Sequence, residues 1–119
     1  MIRLAIALSL GLAGTAHADA PVVTGATIHK QGDAWTVEVT LTHPDTGWDH
    51  FASGWEVMAP DGTDLGYREL THPHVEEQPF TRSLMGVRVP AGVDHLMIRP
   101  RCNRDGWAAM PYRLDLPQG

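Results

Sequence analysis

The sequence contains a single cysteine, Cys102, among its 119 residues. An intramolecular disulfide is therefore excluded, and hydrophobic burial must stabilise the fold without a covalent crosslink. Basic residues are also scarce, with nine lysines and arginines against 14 acidic residues and a net charge of −5. Such a chain lacks the basic surface by which proteins bind nucleic acid or anionic lipid. We expect neither partner.

Long hydrophobic and helical patterns are missing as well. The apolar run at residues 4–13 is too short to span a bilayer as a helix. Arg3 before this run and Ala16-His17-Ala18 after it are typical of a secretory signal peptide over residues 1–18. No cysteine follows the predicted cleavage site. We therefore predict no membrane anchor, a periplasmic or secreted location, and a single domain over residues 19–119.

The rest of the sequence consists of short stretches in which apolar and polar residues alternate. In residues 35–42, Trp35, Val37, Val39 and Leu41 share one parity, and polar residues share the other. This two-residue period is typical of a strand with one buried and one solvent-facing side. Similar stretches, separated by turn residues, cover residues 27–30, 54–58, 65–71, 79–89, 95–102 and 111–116.

Seven short strands separated by frequent turns predict an all-β fold, an antiparallel sandwich of the immunoglobulin or fibronectin type III kind. Trp55, in the third predicted strand, is the expected core tryptophan. In the fifth strand the apolar residues change parity, which predicts a bulge near Leu84, Met85 and Gly86. Cys102 has the inward parity of the sixth strand, so we expect a buried and unreactive thiol.

Two segments are unusually rich in histidine, proline and acidic residues. They are HPDTGWDHFA at residues 43–52 and HPHVEEQPFTRS at residues 72–83. Together with the export signal, they resemble segments of a group of small, uncharacterised exported bacterial proteins. The resemblance implies a compact exported β domain, and it implies no activity.

The same segments contain four histidines, His43, His50, His72 and His74. In an extended His-Pro-His stretch both imidazoles point to one side, and the proline stiffens the backbone. Imidazoles with nearby carboxylates suit Zn²⁺ or Cu²⁺. We therefore predict a metal site formed by these four histidines, if both connections lie at the same end of the sandwich. The alternative is that the histidines cap turns and bind neighbouring carbonyls.

Motifs that would indicate catalysis are absent. The sequence contains no G-x-S-x-G, H-E-x-x-H or C-x-x-C, and we predict that the protein is not an enzyme. The predicted function is a small exported binding or accessory protein. The alternative is a metal-free interaction domain for an envelope protein, or a structural envelope domain. Trp48 and Phe51 bear on this choice: we expect them to close one end of the sandwich, whereas an exposed Trp48 would favour an interaction surface.

Overall fold

The computed structural model describes residues 20–117. The predicted signal peptide, residues 1–18, lies outside the described residues, so this assignment stays a prediction. Within residues 20–117 every regular element is a β-strand. No helix in that range is long and apolar enough to cross a membrane. The predicted all-β fold is confirmed.

The described chain forms eight strands. They are β1 (Val22–Gln31), β2 (Ala34–Thr42), β3 (Ala52–Met58), β4 (Asp64–Glu69), β5 (Phe80–Val87), β6 (His95–Cys102), β7 (Gly106–Trp107) and β8 (Tyr112–Asp115). The sequence predicted the bounds of β6, but it did not predict the two-residue β7. Strand β1 begins five residues before its predicted start, because an irregularity between Val23 and Gly25 interrupts the alternation there.

The strands form two antiparallel sheets. One has the order β1-β2-β5; in the other, the order is β4-β3-β6, and both β7 and β8 pair with β6. The pairs β2–β5 and β3–β6–β8 correspond to the B–E and C–F–G neighbours of an immunoglobulin-like sandwich. The structure is therefore consistent with the predicted architecture.

The predicted bulge is present in β5. Trp35 of β2 pairs with Val87 of β5, and Val37 pairs with Leu84. Thr36 alone therefore faces two residues of β5, Met85 and Gly86. The extra residue changes which side of the strand faces the core. This explains the change of parity in the sequence.

The core lies between the two sheets, and most of the apolar residues predicted to face inward line it. Val37, Val39 and Leu41 of β2 are buried, and Trp55 is fully buried on the opposite sheet. Each large apolar side chain buried in this way stabilises the fold by roughly 1.5–3 kcal/mol. The inner face of β6 ends in Cys102, whose predicted burial is confirmed.

One end of the sandwich collects both histidine-rich segments. Residues 43–51 leave the three-stranded sheet after β2 and enter the five-stranded sheet at Ala52, which pairs with Cys102. Leu41, near the end of β2, pairs with Phe80 at the start of β5. The condition attached to the predicted metal site is therefore met, because both segments lie at the same end.

Candidate metal centre

Two histidines and the only cysteine of the sequence meet at this end of the sandwich. One ring nitrogen of His43, one of His50 and the sulfur of Cys102 all lie within 4.8 Å of one another. The two imidazole rings are in edge contact, with centroids 4.8 Å apart. All three residues are buried, with exposed fractions of 2%, 5% and 0%. Three metal-binding atoms are thus close enough to bind one ion.

Backbone pairing explains why residues so distant in sequence come together. His43 directly follows β2, and only Phe51 separates His50 from the start of β3. Ala52, the first residue of β3, pairs with Cys102. Just beyond this pair, the Asn103 N–H donates to the Phe51 carbonyl at 3.0 Å. The end of β6 is therefore held against the connection that contains both histidines.

Asp45 holds the ring of His43 in one orientation. Its Oδ1 accepts a hydrogen bond from His43 Nδ1 at 2.5 Å and another from the Ala52 N–H at 3.0 Å. Because a carboxylate accepts, Nδ1 donates, and the lone pair of the neutral ring lies on Nε2. That Nε2 is buried and has no hydrogen-bond partner among the described residues. It is the nitrogen left to bind a ligand.

The sulfur of Cys102 lies among polar groups. The backbone N–H groups of Arg104 and Asp105 donate to it at 3.4 and 3.5 Å, and such donors suit an anionic sulfur. The Oδ2 atom of Asp105 lies 3.9 Å from the sulfur and 3.4 Å from His50 Nε2. Asp105 is thus a carboxylate beside His50 and Cys102, outside the group of three but in contact with two of its members, and it is the candidate for a fourth ligand.

Asn103 fastens the His50 loop to the end of β6. Its Oδ1 accepts the Phe51 N–H at 2.8 Å, and its Nδ2 donates to the Trp48 carbonyl at 3.1 Å. Each such hydrogen bond contributes about 0.5–1.5 kcal/mol. The side chain next to Cys102 therefore fixes the backbone on both sides of His50.

His72 and His74 form a second pair. Their ring centroids are 4.4 Å apart, and His74 also stacks on Phe80 at 3.8 Å. Arg82 Nη2 lies 3.0 Å from His74 Nε2, and because arginine only donates, Nε2 must accept. Burial, followed by the charges of Arg82 and His72, lowers the pKa of His74. His74 is therefore favoured as a neutral ring whose Nε2 lone pair binds Arg82.

The two histidine pairs are joined by polar bridges. Asp45 Oδ2 accepts the His74 N–H at 2.7 Å. Gln78 accepts the His43 N–H through Oε1 and donates to the His74 carbonyl through Nε2, both at 2.9 Å. These bonds link the segment that contains His72 and His74 to Asp45 and to the His43 backbone. Among the described residues, the group within 4.8 Å contains neither His72 nor His74.

Of the four predicted ligands, the structure brings His43 and His50 together with a third residue, Cys102. Sequence reasoning treated Cys102 as inert, so it missed this contact. The available signal was a lone cysteine at the end of a predicted strand, followed by Asn103 and a nearby carboxylate. Finding the contact requires the β3–β6 pairing, and alternation alone does not specify which strands are neighbours.

The prediction that Trp48 closes the end of the sandwich is wrong. Its side chain is 67% exposed, although it contacts the half-buried Phe51 with ring centroids 5.6 Å apart. The His50 N–H donates to the Gly47 carbonyl at 3.1 Å. This turn places Trp48 at its tip in solvent and His50 on its buried side.

Comparison with known proteins gives a distant relative. No protein-family model matches the chain, and no solved structure matches it significantly. The chain is 36% identical over 88 residues to a protein named "Putative lipoprotein" from Halomicrobium mukohataei. The matched stretch covers 74% of this chain and 43% of the relative. The chain therefore spans less than half of that protein's length.

Proposed function

We propose that this protein is an exported binding domain that holds a divalent transition metal, zinc or copper, through His43, His50 and Cys102. The observation that carries the proposal is the approach of three buried metal-binding side chains to within 4.8 Å. Burying polar atoms without partners costs free energy. A bound ion would give His43 Nε2, which is buried without a hydrogen-bond partner among the described residues, a partner that it shares with His50 and Cys102.

The state of His43 supports a metal rather than a purely structural role. A histidine that only closes a loop needs hydrogen bonds, and its Nδ1 already has one to Asp45. Its Nε2 is nevertheless buried without a hydrogen-bond partner among residues 20–117. A carboxylate on one nitrogen and an available lone pair on the other is the arrangement that metal-bound histidines commonly have.

The donor atoms favour zinc or copper over harder cations. Thiolate and imidazole ligands suit Zn²⁺ and copper, whereas Mg²⁺ and Ca²⁺ prefer sets of oxygen ligands. With Asp105 as a fourth ligand, the set would suit tetrahedral Zn²⁺. Without it, two histidines and a cysteine in a trigonal arrangement would be typical of copper.

Export and a binding role complete the proposal. The predicted signal peptide supports export, as does similarity to a protein named as a lipoprotein. The resemblance of the two histidine-rich segments to small exported bacterial proteins agrees with export. We place the protein in the periplasm or outside the cell, acting as a binding or accessory protein rather than an enzyme.

Metal titration of the purified, reduced protein under exclusion of oxygen tests the ligand set. We expect one equivalent of Zn²⁺ or copper to bind, and Co²⁺ as a probe to give a sulfur-to-metal charge-transfer band. Cys102→Ala should abolish this band, and His50→Ala should weaken binding. His29→Ala is the matched control because His29 is exposed on β1.

The double variant His72→Ala/His74→Ala distinguishes this ligand set from the four histidines that the sequence predicts. It should keep the Co²⁺ band if His43, His50 and Cys102 bind the metal. Equal metal uptake by the wild type, Cys102→Ala and His50→Ala would rule out the proposed site.

A second candidate function rests on Trp48. This residue is 67% exposed at the tip of a turn, and exposed tryptophans are frequent anchors of protein interfaces. The candidate is a metal-free contact with an envelope protein. Crosslinking in the native host would test it: Trp48→Ala should remove a specific adduct that the wild type and the exposed-loop control Asp49→Asn retain. An unchanged adduct would reject this candidate.

A further inference from the structure

The geometry points to Asp45 as the residue that positions His43 for metal binding, an inference that rests on the proposed function. Asp45 is not a member of the group of three prospective ligands, and its carboxylate is bound to the His43 ring, where both side chains are fully buried. It would act through the His43 ring. It is therefore a positioning residue.

The first part of this role is the choice of tautomer. A neutral imidazole carries its proton on either nitrogen, and only the nitrogen without the proton can bind a metal. The 2.5 Å contact between Asp45 Oδ1 and His43 Nδ1 keeps the proton on Nδ1. The lone pair is consequently kept on Nε2 before any metal arrives.

The second part is rigidity, since a positioning residue must itself be held. Two backbone N–H groups from different segments bind the two carboxylate oxygens, Ala52 to Oδ1 and His74 to Oδ2. Ala52 is paired with Cys102 in the five-stranded sheet. Through Ala52, Asp45 therefore aligns His43 with the strand end that carries the sulfur.

This arrangement also gives the second histidine-rich segment a function. The His74 N–H occupies the Asp45 oxygen that does not face His43. Gln78 adds a parallel link between the His43 N–H and the His74 carbonyl. The segment at residues 72–78 thus acts as a support for Asp45, and neither histidine ring in it needs to touch the metal.

Asp45→Asn tests the inference because it keeps the size of the side chain and removes one acceptor. In one orientation the asparagine NH₂ group faces the His74 N–H, which then loses its acceptor. In the other orientation the NH₂ group donates to His43 Nδ1, so that the ring proton has to lie on Nε2. Loss of such a partner typically weakens metal binding 10–100-fold. We expect a loss in this range for Co²⁺ and Zn²⁺, with no such loss in Asp49→Asn, the exposed control from the same loop.

A readout in the metal-free protein separates positioning from simple loop closure. Long-range ¹⁵N NMR should show wild-type His43 protonated on Nδ1, and Asp45→Asn should shift the ring towards the Nε2–H tautomer. Binding is measured well below each variant's unfolding temperature, so a loss of stability alone leaves the affinity of the folded protein unchanged. If Asp45→Asn does not fold, the wild-type tautomer still decides the matter.

The outcomes distinguish this inference from the proposed function. If the wild type binds no metal at the three ligands, the proposed function fails, whatever the tautomer. If the wild type binds metal and Asp45→Asn binds it equally well, only the role of Asp45 is overturned. An Nε2–H tautomer in the wild-type protein would also overturn that role.

Discussion

Single residues at the histidine-rich end perform tasks that their types alone do not reveal. His43 and His74 lie in different histidine-rich segments and are chemically alike, yet His74 has its Nε2 bound to Arg82 and its ring on Phe80. His43 has the opposite arrangement, with Nδ1 bound and Nε2 without a hydrogen-bond partner among the described residues. The hydrogen-bond partner of each ring, rather than the residue type, determines which nitrogen is available.

At this scale, His74 gives a prediction for the dependence of stability on pH. Burial, Arg82 and His72 lower its pKa below the ordinary value of 6.5, so the unfolded chain binds the proton more strongly than the folded chain. The stability that the neutral ring contributes is complete above the unfolded pKa, and it is lost as the pH falls through the folded pKa. Urea midpoints of the metal-free protein should therefore fall more from about pH 7 to pH 5 in the wild type than in His74→Gln.

His95→Gln is the control for this measurement. His95 is partly exposed and pairs with Asp94 on the surface, so its removal should not reproduce the His74 effect. Parallel pH profiles for the wild type and His74→Gln would show that His74 does not contribute to this loss of stability.

At the scale of strands, alternation predicted most of the fold. In β6 a strict two-residue period coincides with one buried face, and the predicted bounds agree with the observed ones. In β2 the period holds from Val37 to Leu41, but Thr36 on the predicted outer face is buried and Trp35 on the predicted inner face is only partly buried. Agreement is poorer in β1, where the irregularity near Gly25 breaks the period. The sequence could not reveal the short β7, because two residues paired with the end of β6 carry no period of their own.

The β5 bulge leads to a prediction with a control of opposite sign. Gly86 has φ +75°, a conformation that L-residues adopt at a cost of roughly 1–2 kcal/mol. Space is open around its Cβ position, as it is at Gly25, where φ is not positive. Gly86→Ala should therefore lower the free energy of unfolding in urea by about that amount. Gly25→Ala should raise it by about 0.5–1 kcal/mol, because alanine is favoured over glycine within a strand. A Gly86→Ala variant with unchanged stability would contradict the left-handed conformation of Gly86 in this bulge.

At the scale of the whole molecule, the candidate site lies where the chain crosses between the sheets. His43 follows the last residue of β2 in one sheet, and Cys102 ends β6 in the other. Alternation identified the inward residues of each sheet separately, and the histidine-rich segments indicated metal chemistry. The association of Cys102 with His43 and His50 depends on long-range pairing, which is why the candidate ligand set could be predicted only in part.

This location predicts that metal binding stabilises the entire fold. In a chain without disulfides, an ion shared by His43, His50 and Cys102 would link both sheets at one end. A ligand that binds only the folded state stabilises it by about 2.7 kcal/mol when its free concentration is a hundredfold above Kd. Under those conditions Zn²⁺ should raise the unfolding temperature of the wild type, and Cys102→Ser should lose most of the increase. An ion held between the sheets has to be released when the sheets separate, so its binding must stabilise the folded protein. If one equivalent of Zn²⁺ binds but leaves the unfolding temperature unchanged, the ion is not held between the sheets.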